Sequence, residues 1–547
     1  MSATDEFRDL AERIVDDLLA ADPVGATALG DHRFDGSLPD LSAAGVESQL
    51  RTIDDHVTAL DAVDDVELDV ADFVDLEILR ARLLRSMFEL DDIGRQTWDP
   101  MVWNPGTALH LLLSRDFAPA EVRAESLRAR LADIPDHLAN ARSALGEMSQ
   151  IHLDTAIAQL NGTRQLIETE ARALAGDDAG VAQAARAVEE FVAWLDDRRP
   201  EATRSPRLGE RLYAGALWHA LDDSVTPDEV VSDARDHLVQ VDEQLRETAR
   251  EYLGADADPD ADDGEHVREA LRRVADEWPV TNDTVLPLMR DALDRTTEFV
   301  RQFGLVTVPD VDVRVIEMPE IHRGVAVAYC DAPGPLETAD VATYVAVAPT
   351  PSGWDEDRVR SFYREYNGAQ LHDLAVHEAM PGHVLQLARA QQLRTPTRVR
   401  RFGRSGVFIE GWAVYAEEVM IEAGYRPSAD HRSGLALRLQ QLKMQARSAI
   451  NAILDVGVHA QGMTEAEGLW LMRELGMQEE SEATGKWRRA LLTSAQLPTY
   501  FVGYRAVHSI VDDLCVMHGE WDQKGIHDLL LSHGSPAPRH LRTLLGI

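Results

Sequence analysis

Apolar residues recur at three- and four-residue steps through most of the first 305 residues, and this spacing constrains the fold more than any other feature of the sequence. The segment 119–148 is one example, and a helix with one buried face produces this pattern. In the segment 224–254, Thr226 is followed by Pro227 and Glu229, which predicts an N-cap, a proline at the first helical position and a capping box. The N-terminal half is therefore predicted to consist of consecutive helices.

The pattern changes near residue 305 and returns near residue 355. Segments 311–317, 324–330 and 342–349 are short and rich in β-branched and aromatic residues, which predicts three strands. Helical spacing then continues to the C-terminus, with a second capping box at Thr464 and Glu467. We predict a mostly α protein with one small β-sheet.

The division of the chain is placed at this change of pattern. The acidic, breaker-rich segment 254–267 predicts an exposed loop, but helical spacing continues on both sides of it. We therefore predict a helical N-terminal half at residues 1–305 and a second half, which contains the sheet and the candidate metal ligands, at residues 306–547. The two halves are predicted to form one continuous unit.

The charge balance excludes some classes of partner. The sequence has 95 acidic residues against 54 lysines and arginines, three of them lysines, and a formal net charge of −41. This charge repels nucleic-acid phosphates and anionic membrane surfaces. An enzyme that avoids anionic partners in an ordinary cell would have such a composition. We favour a cytosol of very high salt, because a Debye length of about 3 Å at 1 M ionic strength screens the self-repulsion of the acidic surface.

Two further features favour a cytoplasmic location. Cys330 and Cys515 lie far apart in the sequence, so they predict neither a disulfide framework nor a zinc-ligand pair, as is typical of a reducing compartment. Residues 1–23 are acidic and amphipathic and lack the basic and apolar regions of a signal peptide. The sequence also lacks the long apolar run of a membrane span. We therefore expect a cytoplasmic protein without membrane partners.

The segment LAVHEAMPGHVLQ, residues 374–386, has the composition of a zinc hydrolase helix with altered spacing. His377 and Glu378 supply an imidazole ligand and a carboxylate that can accept a proton from water. His383 follows six residues after His377, which is not a whole number of helical turns. Pro381 and Gly382 would open the helix between them and let His383 turn back. The alternative is that Pro-Gly simply ends a helix whose histidines lie at the surface.

A third ligand is expected downstream, since catalytic zinc has three protein ligands and one open position. Glu410 and Glu417 are seven residues apart and lie among aromatic and aliphatic residues, so both project from nearly the same face of a predicted helix. Carboxylates in such surroundings are costly unless they are paired or bind a cation. We predict Glu410 as the ligand and Glu417 as the acceptor that orients a ligand histidine. The reverse assignment, and pairing of both glutamates with arginines, stay open.

HEAMPGH followed by EGWAVYAE resembles the domain of unknown function 885 (DUF885) family, which is grouped with zinc metallopeptidases of the gluzincin type. DPVGATALGDHRFDG, DVGVHAQGMTEAEG and LPTYFVGYRA resemble the same family, so the resemblance covers nearly the whole chain. It implies a large helical peptidase-like fold with a deep central cleft. By analogy with thimet oligopeptidases and thermostable carboxypeptidases, it implies His377, His383 and Glu410 as ligands and Glu378 as the general base.

The resemblance also implies residues that would complete the site. Tyr504 matches a tyrosine of the family and is a candidate donor to the oxyanion, where negative charge develops during hydrolysis. Arg505 stands where the family has lysine and could hold a substrate carboxylate. Thr499 and Tyr500 replace the family's Gly-Gln, and Tyr500 is included as a substrate-binding candidate. The alternative is a core tyrosine and a surface arginine.

Two more residues are candidates by position. His459 is similar to a histidine of the family's Asp-x-Gly-x-His pattern and could pair with Asp455 on the substrate side, although a lone histidine beside apolar residues is more often structural. Asp373 precedes His377 by one turn and is a candidate to orient it, although a solvated carboxylate is the commoner case. The strand at 343–348 is a candidate sheet edge for pairing with an extended substrate.

The sequence as a whole predicts a zinc-dependent peptidase or amidase. Manganese and cobalt are compatible with the same ligands, and the expected partner is a peptide or a small amide. The alternatives are a hydrolase of a non-peptide amide or isopeptide, and a binding protein that retains the metal without turnover. Glu378 weighs against the last, because ligands alone would hold a cation. The sequence specifies neither the oligomeric state nor the position of cleavage in the substrate.

Overall fold

The computed structural model of this protein describes residues 3–318, 327–351, 353–519 and 522–547. It is mostly helical with one small sheet, as predicted. The side chain of Thr226 accepts from the backbone of Glu229 while the Glu229 carboxylate accepts from the backbone of Thr226, and Thr464 and Glu467 repeat the arrangement. Both predicted capping boxes are therefore confirmed, and they fix the starts of their helices.

The predicted loop at 254–267 is shorter than expected. A helix begins inside it, at Asp263, because Asp262 and Glu265 form a third capping box. The acidic composition that suggested a loop is here the composition of a helix start, where carboxylates accept from unpaired backbone N–H groups.

The chain divides into two compact units, and the first consists of Met1–Leu208, Pro333–Val341 and Arg394–Gly403. Its core contains the buried side chains of Trp103, Leu127 and Phe191. Its α-helices are Ala3–Ala21, Pro23–Leu29, Ala43–Asp61, Val70–Met87, Gly106–Leu113, Ala120–Ala144, Gln150–Leu166, Arg172–Ala175, Asp178–Asp196 and Val399–Phe402.

The second unit consists of Gly209–Ala332, Ala342–Leu393 and Arg404–Ile547. Its α-helices are Glu210–Leu221, Pro227–Leu253, Asp263–Glu277, Val285–Phe303, Glu356–Glu365, Gly368–Glu378, His383–Gln391, Gly406–Glu422, His431–His459, Glu465–Trp470, Glu480–Leu492, Pro498–His518, Gln523–Leu530 and Pro538–Leu545. One hydrophobic cluster joins the sheet to several of these helices, with Val345, Leu374 and Trp412 among its buried members. The predicted division at residue 305 stays a prediction.

The three strands are β1 (Val313–Glu317), β2 (Ala328–Asp331) and β3 (Thr343–Val347). They lie in the order β1-β3-β2, with β1 parallel and β2 antiparallel to β3. The predicted strand at 324–330 is observed from Ala328, and residues 324–326 lie outside the described residues. The prediction that 343–348 forms a sheet edge is wrong, because β3 is paired on both sides.

Candidate metal centre

The first histidine helix (Gly368–Glu378) begins directly after Asn367. The side chain of Asn367 accepts from the backbone N–H groups of Ala369 and Gln370 and so separates this helix from Glu356–Glu365. An asparagine N-cap satisfies donors that would otherwise be unpaired at a buried helix start. The helix ends at Glu378, one residue after His377.

A tight turn joins this helix to the second histidine helix (His383–Gln391). The N–H of Gly382 donates to the carbonyl of Val376 at 2.9 Å, and the carbonyl of Pro381 accepts from the indole of Trp412 at 2.9 Å. A Cβ atom at Gly382 would lie 1.9 Å from the carbonyl oxygen of His377. Glycine is therefore required here by the close approach of the backbone. His383 is the first residue of the second helix.

This turn brings the two histidines together with a glutamate of the helix Gly406–Glu422, the glutamate helix. The Nε2 atoms of His377 and His383 lie 3.6 and 3.5 Å from Oε2 of Glu410, and the rings of the two histidines are 4.7 Å apart at 83°. One ligand atom from each of the three residues lies within 4.8 Å of the other two. His377, His383 and Glu410 therefore form a group that can hold a metal ion.

Glu417 occupies a different place from Glu410. Its Oε1 lies 2.6 Å from Nδ1 of His377, and its side chain is 1% exposed, against 21% for Glu410. Glu417 thus contacts the ring nitrogen that faces away from Glu410, which is the usual place of a carboxylate that orients a ligand histidine. Asp373 is also buried and accepts from the side chain of Gln370 at 3.2 Å.

Burial and charge act in opposite directions on these groups. Burial lowers the pKa of His377, but the nearby carboxylate of Glu410 and the hydrogen bond with Glu417 outweigh it and raise the pKa well above its usual value. Burial raises the pKa of Glu410, but the two histidines outweigh it and the pKa is lowered. For Asp373 the pKa is raised, first by burial and then by the charge of Glu417. The carboxylate of Glu410 is thus stabilised by its two neighbours.

Glu378 is held at the edge of the sheet. Its Oε2 accepts from the backbone N–H of Cys330 at 2.9 Å, and Cys330 lies opposite Val345 in the antiparallel pair of β2 with β3. Burial raises the pKa of Glu378, against the effect of the two histidines. The carboxylate is therefore fixed beside the ligand group by a residue that sequence reasoning missed. Because the donor is a backbone N–H, which nearly every residue has, the residue type at position 330 could not predict this contact.

The polar atoms of this group fit a divalent cation. Oε2 of Glu410 is buried and, within the described part of the chain, has no hydrogen-bond partner, and the same holds for Nδ1 of His383. A buried carboxylate oxygen without a partner is costly unless a cation or a donor satisfies it. Two imidazoles and one carboxylate are a common ligand set of catalytic zinc.

A contact between two glycines sets the position of the tyrosine helix (Pro498–His518). A Cβ atom at Gly411 would lie 2.3 Å from the carbonyl carbon of Gly503, and one at Gly503 would lie 2.1 Å from the carbonyl oxygen of Val407. The two helices therefore approach each other backbone to backbone next to Glu410. Tyr500 precedes Gly503 by one turn. The sequence signal for this contact is a glycine inside each helix.

The two tyrosines of this helix have different surroundings. The hydroxyl of Tyr504 donates to Glu418 at 2.8 Å, which does not agree with the role of oxyanion donor predicted for it. Tyr500 is half-buried, and its pKa is raised first by burial and then by the charge of Glu410. After the larger effect of burial, the charge of Glu410 thus acts on the pKa of Tyr500, and that of Glu418 acts on the pKa of Tyr504.

Two other candidates lie outside the ligand group. Arg505 is exposed, and its charge lowers the pKa of His237, after the larger effect of burial. His459 is buried, and its Nε2 lies 2.8 Å from the carbonyl oxygens of both Ala490 and Thr493. A histidine that donates to two backbone carbonyls is structural, so the predicted substrate role of His459 is not supported.

Asp455, the predicted partner of His459, also stabilises the fold. Its Oδ2 accepts from the hydroxyl of Tyr213 at 2.8 Å and from the backbone of Ala495 at 2.7 Å. The ring of Tyr213 stacks on that of His459 at 5.5 Å. Both residues therefore fix the helix Glu210–Leu221 and the segment before the tyrosine helix.

A family model described as "Bacterial protein of unknown function (DUF885)" matches residues 23–545. A CinA-like protein of Akkermansia muciniphila is 29% identical over 155 residues, which are 26% of this chain and 36% of that protein. The match thus spans little more than a third of the curated relative.

Two solved structures share the fold over nearly the whole chain. One, described as a lipoprotein of unknown function from Shewanella oneidensis, is 26% identical with a TM-score of 0.82 and covers 99% of this chain and 100% of that chain. The other, described as a lipoprotein from Colwellia psychrerythraea, is 16% identical with a TM-score of 0.80, and covers 100% of this chain and 99% of that chain. Metallocarboxypeptidase 1 of Trypanosoma cruzi has a TM-score of 0.40 at 12% identity over 100% of this chain and 96% of that one, which is too low for a functional conclusion.

The prediction of a cytoplasmic protein in a high-salt cytosol is wrong by this comparison. The Shewanella and Colwellia proteins, which share the fold, are described as lipoproteins, a class of proteins that is attached to a membrane through lipid. Neither the acidic composition nor the two cysteines therefore decides the location. Among the described residues, none of the helices has the length and hydropathy needed to cross a membrane.

Proposed function

This chain belongs to the DUF885 family, and from that premise we propose that it is a zinc-dependent hydrolase of peptide bonds, related to the gluzincin peptidases. The observation that carries the proposal is the convergence of His377, His383 and Glu410, whose ligand atoms lie within 4.8 Å of one another. Surface histidines at a helix end would not share a buried carboxylate oxygen. The alternative interpretation of the motif, an ordinary helix end, is for this reason disfavoured.

The three residues would hold the ion, and Glu417 would keep the ring of His377 in the orientation that presents Nε2. A zinc ion bound there would supply a Lewis acid that polarises a carbonyl and makes water more acidic. The other ligand set considered, with Glu417 in place of Glu410, would require Glu417 to leave Nδ1 of His377.

Glu378 is proposed as the general base. It would accept a proton from the attacking water and pass it to the leaving amine. The hydrogen bond from the backbone of Cys330 at 2.9 Å supports this role, because it fixes one carboxylate oxygen and leaves the other available. Tyr500 takes over the role first assigned to Tyr504: its hydroxyl would donate to the carbonyl oxygen of the substrate as negative charge develops there.

Metal content and hydrolysis, measured on the same protein preparations, test this proposal. Wild-type protein is expected to contain about one equivalent of zinc and to cleave members of a mixed peptide library, as detected by mass spectrometry. His383→Ala should lose most of the zinc, because a site with two protein ligands binds the ion poorly. Glu378→Gln should keep the zinc and lose hydrolysis.

Three results would contradict the proposal. Zinc retained in full by His383→Ala would show that the ion binds elsewhere. Cleavage by Glu378→Gln at the wild-type rate would exclude Glu378 as the base. Zinc in the wild-type protein without cleavage of any peptide, amide or isopeptide would favour a binding protein.

A further inference from the structure

Next to the candidate metal centre, a polar chain leads away from Glu410 along the tyrosine helix. The hydroxyl of Tyr500 accepts from Nε2 of Gln496 at 3.5 Å, and Oε1 of Gln496 accepts from Nη2 of Arg489 at 2.7 Å. All three side chains are half-buried. Gly411 and Gly503 bring the two helices into backbone contact beside Glu410, and Tyr500 lies one turn before Gly503. Arg489 lies one side chain, that of Gln496, beyond this tyrosine.

The guanidinium of Arg489 has a neutral partner. In the described ranges of the chain it forms no ion pair, and its hydrogen-bond acceptor is the amide of Gln496. Its charge also acts on Asp455, after burial and the hydrogen bonds that Oδ2 of Asp455 accepts from Tyr213 and Ala495. A half-buried arginine whose acceptor is a neutral amide, in a chain with 95 acidic residues, is a candidate to bind an anion from outside the protein.

We propose that Arg489 binds a carboxylate of the substrate, so that the enzyme selects peptides or amides with a free carboxylate close to the bond that is cleaved. This inference rests on the proposed hydrolase function and names its substrate class. A planar guanidinium donates two parallel hydrogen bonds to a carboxylate, which gives direction as well as affinity. Gln496 accepts a hydrogen bond from one amino group of Arg489 and thereby fixes the plane of the guanidinium.

The position of Arg489 decides which carboxylate it would bind. One residue of extended peptide spans about 3.3–3.6 Å, so a group one side chain beyond Tyr500 corresponds to one or two residues past the scissile carbonyl. The terminal carboxylate of a peptide lies there when the last or the last but one peptide bond is cleaved. Hydrolysis adds OH from water to the carbonyl carbon and the remaining proton to the leaving amine, which carries the carboxylate away.

Arg505, the residue predicted from the sequence for this task, serves as the matched control. It lies on the tyrosine helix but is exposed, and its charge acts on His237. Replacing either arginine with glutamine removes one positive charge from the same unit of the protein. A general effect of net charge would therefore change both variants equally. Loss of a specific carboxylate site would change only Arg489→Gln.

The experiment compares N-acetylated tripeptides, each made as the free acid and as the C-terminal amide, with zinc-loaded protein. Wild type should cleave the free acids with a kcat/KM that is higher by about 10- to 100-fold, the usual effect of one charge-assisted pair. Arg489→Gln should lose this preference, mainly through a higher KM for the acids. Arg505→Gln should keep it.

Equal cleavage of acids and amides by wild type, or an unchanged preference in Arg489→Gln, would overturn the inference while leaving the hydrolase function in place. A second readout is independent of turnover. In the Glu378→Gln background, calorimetry should show tighter binding of the free acids than of the amides, and the difference should disappear when Arg489→Gln is added. If that binding difference is found without hydrolysis in any variant, the proposed function fails and the carboxylate site stands.

Discussion

Replacing Gly382 with alanine should weaken zinc binding strongly and lower the stability of the fold only modestly. The added Cβ atom would lie 1.9 Å from the carbonyl oxygen of His377 and 2.4 Å from that of Val376. Both are backbone atoms of the first histidine helix, so neither can rotate away. Moving from 1.9 Å to the 3.4 Å of an ordinary contact requires a displacement of 1.5 Å, and the residue next to Gly382 is His383.

Such a displacement is large for a metal ligand and modest for the fold. Metal–ligand distances tolerate about ±0.2 Å, so His383 should no longer reach the ion together with His377. We expect zinc affinity to fall by about 100-fold or more, since a misplacement of 1 Å in a site can cost about that factor. The overpacked turn should lower the free energy of unfolding of the metal-free protein by about 1–3 kcal/mol.

Competition with a chromophoric chelator measures the zinc affinity, and urea unfolding in the presence of EDTA measures the stability of the metal-free protein. Gly485→Ala is the control, because a Cβ atom at this position in the helix Glu480–Leu492 has no neighbour within 4 Å. It should leave zinc affinity unchanged and stabilise the fold by about 0.5–1 kcal/mol. Gly382→Ala protein that binds zinc as tightly as wild type would refute the reasoning.

Three further outcomes are expected. Glu417→Gln should lower zinc affinity by about 10- to 100-fold in the chelator assay, because Nδ1 of His377 loses its charged partner at 2.6 Å; unchanged affinity would contradict the role given to Glu417. Glu365→Gln should lower the free energy of unfolding by about 3–5 kcal/mol in urea, because Lys443, 2.8 Å away and 8% exposed, is left as an unpaired buried charge; a loss below 1 kcal/mol would refute this. Burial lowers the pKa of His527 to about 4, so between pH 6.5 and 4 the unfolded chain binds a proton that the folded chain does not, and stability falls as the pH falls through this range. Urea unfolding at pH 7.5 and 5.0 should show about 2 kcal/mol less loss in His527→Gln than in wild type, and equal losses would contradict the assignment.

Local signals in the sequence were sufficient for much of the secondary structure and for the candidate metal-binding group. The capping boxes at Thr226 and Thr464 depend on residues three apart, so the sequence shows them directly. Pro381 and Gly382 predicted that the helix opens and that His383 turns back, since the lost hydrogen bond and the missing side chain are properties of these residue types. His377 and His383 could be predicted from the local sequence alone. Only Glu410 depends on packing between distant segments.

Features that depend on packing between distant segments were not predictable in this way. Edge and central strands share the same alternation, so the sequence could not show that Thr343–Val347 is paired on both sides. Tyr500 and Tyr504 are one turn apart, and the surroundings of each depend on how closely Gly503 approaches the neighbouring helix. The sequence around His459 resembles that of a functional histidine, but its Nε2 contacts the backbone carbonyls of Ala490 and Thr493. Every residue has a backbone carbonyl, so the sequence cannot show such a contact.

The contact of Gly411 with Gly503 also limits which substitutions this protein can accept. Because both partners are already the smallest amino acid, a larger residue at one position cannot be compensated by a smaller one at the other. The glutamate helix and the tyrosine helix are thus fixed in register. Arg489 and Gln496 lie outside this glycine contact, so substitutions at positions 489 and 496 should change the proposed substrate preference without moving Glu410.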